Sequence, residues 1–412
     1  MSAFSRPSRA GYPLVAYLAA AIFISYIDRT NMSVGALAMQ AEFGWSETHK
    51  GAVLCAFYIG YLPVMIALGA VSNRFGGRAV LGCAVIWWSA FTALTPFAAF
   101  ICLPALLIAR SAIGLGEAAV FPASFTLIGR HIPAEYRSRA VTLVTSSTAL
   151  GTVFALFVSG WLIRFYGWPM PFYAFAVIGW VWAVLWFCFP PALVQTAPPQ
   201  KPGRAAIPWS ALMRTPSVWA IVAGHFCYNW CAYLLIAWMP SYFKNAFGVS
   251  VAWAGILSAA PWLVVYVTAN LAGHLADHLV SRGVAVVTVR RMAQVTGLAG
   301  AALFLVLLPL CTSVSTAVVL MCMSTGILGL CQAGFAANCL DIAPRHADVL
   351  YGISNTVATL PGLFGVFITG WLVDETGSFA AAFLVSAAIA VCGAIIYWRL
   401  ASGKPEILAD DA

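Results

Sequence analysis

The sequence predicts an all-α integral membrane protein of twelve transmembrane helices in two six-helix bundles, and three observations carry that prediction. Of its 412 residues 62% are hydrophobic and only 8% charged, with a mean hydropathy of +0.91, far outside the range of soluble globular proteins. Continuously apolar runs of about 20 residues, the length that crosses a ~30 Å hydrocarbon core as a helix, recur along almost the whole chain. A single sizeable hydrophilic break, 194–216, contains Pro198, Pro199, Pro202 and Gly203 and separates six runs from six. The runs do not alternate with period two, which favours helices over a barrel.

The elements follow in order. The first run, 14–37, is too long for a signal-peptide core and lacks a clear small-residue cleavage site, so it is expected to stay as a span. It carries Asp28 and Arg29 side by side. The second, 50–71, leads into the loop Gly69-Ala-Val-Ser-Asn73-Arg74-Phe-Gly-Gly-Arg78. The third and fourth are 79–101 and 103–128, the latter holding Arg110 and Glu117. The fifth and sixth, 140–163 and 171–192, bring no charge into the membrane and close a first domain over 1–193. After the linker, a second domain over 217–412 opens with 217–243, which contains His225, Tyr228 and Asn229. The eighth run, 253–276, overlaps the segment Gly273-His-Leu-Ala-Asp277-His-Leu-Val-Ser-Arg282, an echo of the earlier loop in the equivalent place and a sign of duplication. Runs nine to twelve are 288–311, 314–341, 349–372 with Ser354 and Asn355, and 378–399. Transporters built from repeated bundles place their substrate site between the repeats near the midplane.

The net charge of +8 is explained by topology. With the N-terminus inside, only Lys50, Arg164 and Lys244 of the 21 basic residues fall outside, and Arg29 and Arg110 lie within the membrane. Both termini are therefore expected in the cytoplasm, and a nucleic-acid partner is not. The eleven cysteines are scattered singly, mostly in apolar spans, without metal-ligand or disulfide spacing, and read as small core residues. No cofactor or metal is implied. Neither a nucleophile elbow nor a phosphate loop appears, so the chain does not read as an enzyme.

A charge at mid-membrane depth costs roughly 2.5 to 3.5 kcal/mol on insertion scales, so Asp28, Arg29, Arg110 and Glu117 demand a task. Their charges sum to zero. Arg110 and Glu117, seven residues apart, share a helix face about 10.5 Å apart along the axis. Arg29 has a fixed charge and a planar donor fork suited to a carboxylate, with Tyr26 and Ser33 on its face. Glu117 can titrate, because burial and neighbouring arginines act on it in opposite directions. The competing structural reading is an Asp28–Arg110 ion pair with Glu117 as a neutral buried carboxyl; on the residues alone, Asp28 stays open between coupling carboxylate and partner of Arg110.

The order and spacing of several short motifs resemble one family over the whole chain. They are Tyr26-Ile-Asp28-Arg29 with Asn31 and Ser33, Phe57-Tyr58-Ile-Gly60-Tyr61, Arg110-Ser-Ala-Ile-Gly114-Leu-Gly116-Glu117, Phe121-Pro122-Ala123, Val218-Trp219, His225-Phe-Cys-Tyr228-Asn229-Trp230, Trp238-Met-Pro240-Ser-Tyr242, Asp341-Ile-Ala-Pro344 and Gly352-Ile-Ser354-Asn355-Thr356. The chain resembles the major facilitator superfamily, and within it the anion:cation symporter family that includes sialin, the vesicular glutamate transporters and bacterial galactonate and hexuronate carriers. The resemblance implies proton-coupled import of a small organic anion by alternating access. In the bacterial carriers the residues matching Asp28 and Glu117 couple proton movement, and the one matching Arg29 binds the substrate carboxylate.

The vesicular glutamate transporters have an arginine where this chain has Tyr228, so the resemblance favours a monocarboxylate. Tyr61, Tyr228, Asn229, Ser354 and Asn355 are candidates for substrate hydroxyls, which suits a sugar acid; each also has a helix-to-helix reading. Trp230 and Trp238 leave an aromatic acid open, although tryptophans in spans mostly pack or anchor, and His225 reads as a packed or hydrogen-bonded ring. In the loops the resemblance implies gating by Asn73, Arg74, Arg78, Asp277 and Arg282, with asparagine at 73 where the superfamily usually has aspartate. A dicarboxylate carrier, an anion exchanger and a potential-driven uniporter remain open, since one fold supports several couplings. A non-transporting sensor would want a sizeable cytoplasmic domain, which neither the linker nor the stretch after Arg399 supplies. Short loops suggest a bacterial inner-membrane carrier, expected to be a monomer.

Overall fold

The computed structural model describes residues 11–189, 208–344 and 346–407, all helix and connecting turn among the described residues. The helices are α1 (Gly11–Phe43), α2 (Glu47–Phe75), α3 (Gly77–Ile101), α4 (Leu103–Glu117), α5 (Val120–His131), α6 (Ala134–Tyr166), α7 (Pro169–Cys188), α8 (Trp209–Arg214), α9 (Pro216–Phe247), α10 (Val251–Ser281), α11 (Val286–Leu307), α12 (Val314–Leu328), α13 (Phe335–Ile342), α14 (Ala347–Thr376) and α15 (Ala380–Leu400). Among the described residues eleven segments are long and apolar enough to cross a membrane, with α4–α5 and α12–α13 each counted as one. The 29-residue α2, apolar from Gly51 to Val71, is the twelfth long segment. Large apolar side chains such as Phe97 and Ile108 stand exposed on the helices, as a hydrocarbon solvent allows.

Local chemistry sets the ends. Pro216 in the first turn of α9 costs no hydrogen bond there. Ser250 and Ser313 accept from the backbone at the starts of α10 and α12. Gly248 and Gly377, in the left-handed region at φ +65 and +67, stop α9 and α14. Of the 194–216 linker, the part before residue 208 lies outside the described residues, and Trp209–Arg214 forms the short α8.

The chain divides into two compact units, one of residues 1–35 and 56–203, the other of residues 36–55 and 204–412. The end of α1, the start of α2 and the turn between them thus belong with the second unit, a division that hydropathy does not reveal. Within the first unit α3 packs along α4 and α7; within the second, α9 packs on α14 and α15, and α11 on α12 and α15.

Two spans expected as continuous, 103–128 and 314–341, are interrupted. After Glu117 the chain tightens, with Ala119 N–H reaching back to Gly116 O, before α5 begins. In the second unit a 3-10 turn, Gly329–Ala333, precedes Gly334. The buried Gln294 amide fills that break: its oxygen accepts from Phe335 N–H and its nitrogen donates to Gly224 O. A broken helix is tolerated at membrane depth when side chains satisfy the freed backbone groups. Beyond α15, residues 401–407 run back along the second unit. Ser402 O accepts from Asn338, and Glu406 and Ile407 donate their N–H groups to Ile342 O.

The cysteines only partly follow expectation. Cys227, Cys231, Cys331 and Cys339 are buried, whereas Cys83, Cys102, Cys188 and Cys392 are exposed, since an apolar thiol suits a lipid-facing surface as well as a core.

Candidate functional site

The first unit gathers the four expected charges into its interior. Asp28, Arg110 and Glu117 are buried, and the Arg29 side chain is 9% exposed. Two glycines make this possible. A Cβ on Gly60 of α2 would run into Ser111 O of α4, and one on Gly114 of α4 into Phe57 O of α2. The helices touch backbone to backbone, which sets the Phe57, Tyr58 and Tyr61 rings beside Arg110 and Glu117.

Arg29 pairs with Glu117, its Nη2 3.3 Å from Oε2. Its guanidinium lies 4.9, 4.5 and 5.1 Å from the ring centres of Tyr26, Phe57 and Tyr61, a three-sided aromatic cage. Cation–π attraction strengthens where water is excluded. Phe57 also approaches Arg110, at 5.8 Å, and stacks on Tyr61. Ser33, expected on the Arg29 face, turns its hydroxyl to Thr30 O instead.

Asp28 and Arg110 act on each other electrostatically without a close ion-pair contact. Among the described residues no ion pair joins them, and neither Asp28 oxygen has a hydrogen-bond partner within bonding geometry. The Trp88 indole and Thr92 hydroxyl of α3 lie beside that carboxylate. Ser25, one turn before Arg29, donates to Glu117 Oε2 at 2.8 Å, whereas Glu117 Oε1 is buried without a partner. Sequence reasoning missed Ser25, although its four-residue spacing from Arg29 marks it as sharing that face.

In the second unit two of the expected hydroxyl-binding groups have identified hydrogen-bond partners. Ser354 is buried, its Oγ 2.6 Å from Nδ1 of His225, and Asn229 donates to Ala358 O at 2.7 Å. Both are engaged within the unit. The His225 ring stacks on Phe335 at 4.1 Å, with Tyr351 at 5.6 Å, and Tyr228 lies 5.5 Å from the same Phe335. Phe335, the first residue after the break at Gly334, is the organising ring of this cluster and carried no signal in the sequence. Asn355 sits on α14 next to Ser354. Trp230 donates to Ser386 and Trp238 to Val366 O, both packing roles.

The loop residues lie apart from these clusters within their units. Arg74 is exposed, with its guanidinium 5.4 Å from the Phe75 ring, and the backbone of Arg78 accepts from Trp186. The Asn73 side chain is outside the described residues. Asp277 and Arg282 are exposed at the end of α10, with no ion pair between them among the described residues. No group of three or more metal-ligating side chains is placed to hold an ion among the described residues.

Residues 18–366 match the model of the Major Facilitator Superfamily. A rice protein, probable anion transporter 4, chloroplastic (Oryza sativa subsp. japonica), is 38% identical over 93% of this chain and 67% of its own. The chloroplastic ascorbate transporter of Arabidopsis thaliana is 37% identical over 92% and 72%, and human sialin 32% over 89% and 78%. The chain belongs to the Major Facilitator Superfamily, in its anion:cation symporter family. Solved structures agree on the fold of this family member: a D-xylose-proton symporter superposes with a TM-score of 0.72 over 96% of this chain and 98% of that one, at 17% identity. A bacterial homologue of human lysosomal Spinster, inward-facing and unoccupied, gives 0.77 over 96% of each, at 18% identity. The chain is thus a multi-pass membrane protein of a family whose named relatives are anion transporters.

Proposed function

We propose that this carrier imports an organic monocarboxylate, a sugar acid, by proton symport with alternating access. The observation that carries the reading is the Arg29–Glu117 pair, whose carboxylate keeps one buried oxygen bare. A substrate carboxylate arriving at Arg29 competes with Glu117 for the guanidinium. Losing that positive partner makes Glu117 a better proton acceptor, so substrate and proton each favour the other's binding. That mutual preference is the thermodynamic core of symport.

Asp28, buried beside Trp88 and Thr92 without an ion pair, is the second coupling carboxylate, and Arg110 the fixed positive charge that balances it. Tyr61, Tyr228, Asn229, Ser354 and Asn355 supply polar contacts to substrate hydroxyls, exchanging partners within the protein for the substrate. A relative named for ascorbate, an acid derived from a sugar, supports the substrate class. The lack of an arginine at Tyr228 supports one carboxylate rather than two. Asn73, Arg74, Arg78, Asp277 and Arg282 act in gating, and the distribution of basic residues supports cytoplasmic termini in a cell inner membrane.

The test is uptake into proteoliposomes. Import of a sugar acid rises with an inward proton gradient, Glu117→Gln loses gradient-driven accumulation while keeping exchange, and Arg29→Ala loses binding. Full accumulation in the Glu117→Gln protein, or ordinary affinity in Arg29→Ala, overturns the assignment.

A further inference from the structure

Ser25 and Arg29 stand one turn apart on the same face of α1 and converge on one atom, Oε2 of Glu117. The two bonds differ in quality. The serine hydroxyl sits at 2.8 Å, an ordinary length for an O–H donor, whereas the arginine nitrogen is at 3.3 Å, well beyond the roughly 2.7 to 2.9 Å of a tight charge-assisted bond. Serine has a short side chain whose oxygen is placed by a single torsion, and it is buried, so its donor is held in place. Arginine has a long stem, and its guanidinium is shared among three rings. The firm contact is therefore the neutral one and the loose contact the charged one.

Glu117 is the last residue of α4, where the helix is interrupted, and its other oxygen, Oε1, is buried with no partner. Its charged and titratable surroundings are Asp28 and Arg29 from α1, Tyr61 from α2 and Arg110 from its own helix. From α3, Trp88 and Thr92 lie beside Asp28. Among these neighbours Ser25 is the neutral hydroxyl bonded to Glu117 in the structure, and it can donate to Oε2 whether the carboxyl is charged or carries a proton on Oε1.

We infer that Ser25 is a positioning residue for proton coupling: it anchors Oε2, leaves Oε1 as the seat of the proton, and thereby lets Arg29 exchange Glu117 for the substrate anion. The inference rests on the coupling role proposed for Glu117. It deepens that role by naming which oxygen is fixed, which is free, and what holds the carboxylate when the arginine leaves it.

A hydrogen bond to a carboxylate favours the charged form. Removing the hydroxyl therefore makes protonation easier, and the pH of half-maximal substrate exchange in proteoliposomes rises in Ser25→Ala by about one unit, from the usual strength of a hydrogen bond to a charged group. Ser25→Thr, which keeps the hydroxyl, restores the wild-type midpoint, and Ser25→Cys, a weaker donor, falls between wild type and Ser25→Ala. In a Glu117→Gln background the alanine substitution leaves the pH profile unmoved. A wild-type profile in Ser25→Ala, or an equal shift in the Glu117→Gln background, overturns the role of Ser25 while leaving Glu117 as the coupling group. Gradient-driven accumulation and an unchanged pH profile in Glu117→Gln alone overturn both.

Discussion

The Arg29 guanidinium lies 4.5 Å from the centre of the Phe57 ring, a residue whose backbone is locked against α4 by Gly114. The ring therefore orients the Arg29 guanidinium without competing for its donors, and in the proposed function it holds the group that meets the substrate carboxylate. A desolvated cation–π contact is worth about 2 kcal/mol, or roughly 30-fold in affinity. Phe57→Leu, with similar volume and no quadrupole, is expected to weaken substrate binding about ten-fold, since Tyr26 and Tyr61 retain part of the cage. Phe57→Tyr keeps the face and most of the affinity. Titration of a sugar acid against the purified variants by thermal shift measures both.

The Gly60 and Gly114 contacts meet backbone rather than side chain, so the obstructing atoms cannot rotate away. Gly114→Ala is expected to push α2 from α4 and cost about 1 to 3 kcal/mol of stability. It also separates the Phe57 and Tyr61 rings from Arg110 and Glu117, so transport falls more than stability alone requires. Gly129 of α5 has open space around it, and Gly129→Ala is expected to be neutral or slightly stabilising. Melting temperatures of the two variants, with uptake measured alongside, separate a close helix approach from a general intolerance of added methyl groups.

The spans are legible because hydrocarbon demands about twenty apolar residues in succession, a signal that needs no knowledge of contacts. The breaks at Ala118–Ala119 and Gly329–Gly334 are not, since alanine and glycine there keep the composition apolar and the compensating group, Gln294, is supplied by another helix. For the site the same division holds. Charge and depth single out Asp28, Arg29, Arg110 and Glu117, yet which carboxylate meets which arginine is a matter of tertiary placement. Ser354 and Asn229 read as donors awaiting a ligand because their partners, His225 and the Ala358 carbonyl, lie 129 residues away in the chain. Ser25 was within reach of helical spacing alone.

Within the second unit, the start of α2 is held by a polar cluster. Asp374 of α14 accepts from the backbone N–H groups of Glu47 and Thr48, a carboxylate at a helix N-terminus. Glu47 in turn lies 2.6 Å from the fully buried Lys50 ammonium and accepts from Gln40 and Asn245. Burial pushes the Glu47 carboxyl upward, but the Lys50 charge and these hydrogen bonds outweigh it and hold the group below its ordinary value of 4.5. A carboxylate depressed in the folded state contributes stability that is present above its unfolded value and lost as pH falls through the folded one. The melting temperature of the purified protein is therefore expected to decline below about pH 4.5, and Glu47→Gln to lose that part of the pH dependence. At pH 7 the same substitution strands Lys50 without its countercharge, a loss of about 3 to 5 kcal/mol for a broken buried pair. Adding Lys50→Met removes the stranded charge and is expected to recover most of it. If the double variant melts no higher than Glu47→Gln alone, the ion pair is not the origin of the stability, and the cap by Asp374 carries the helix end by itself.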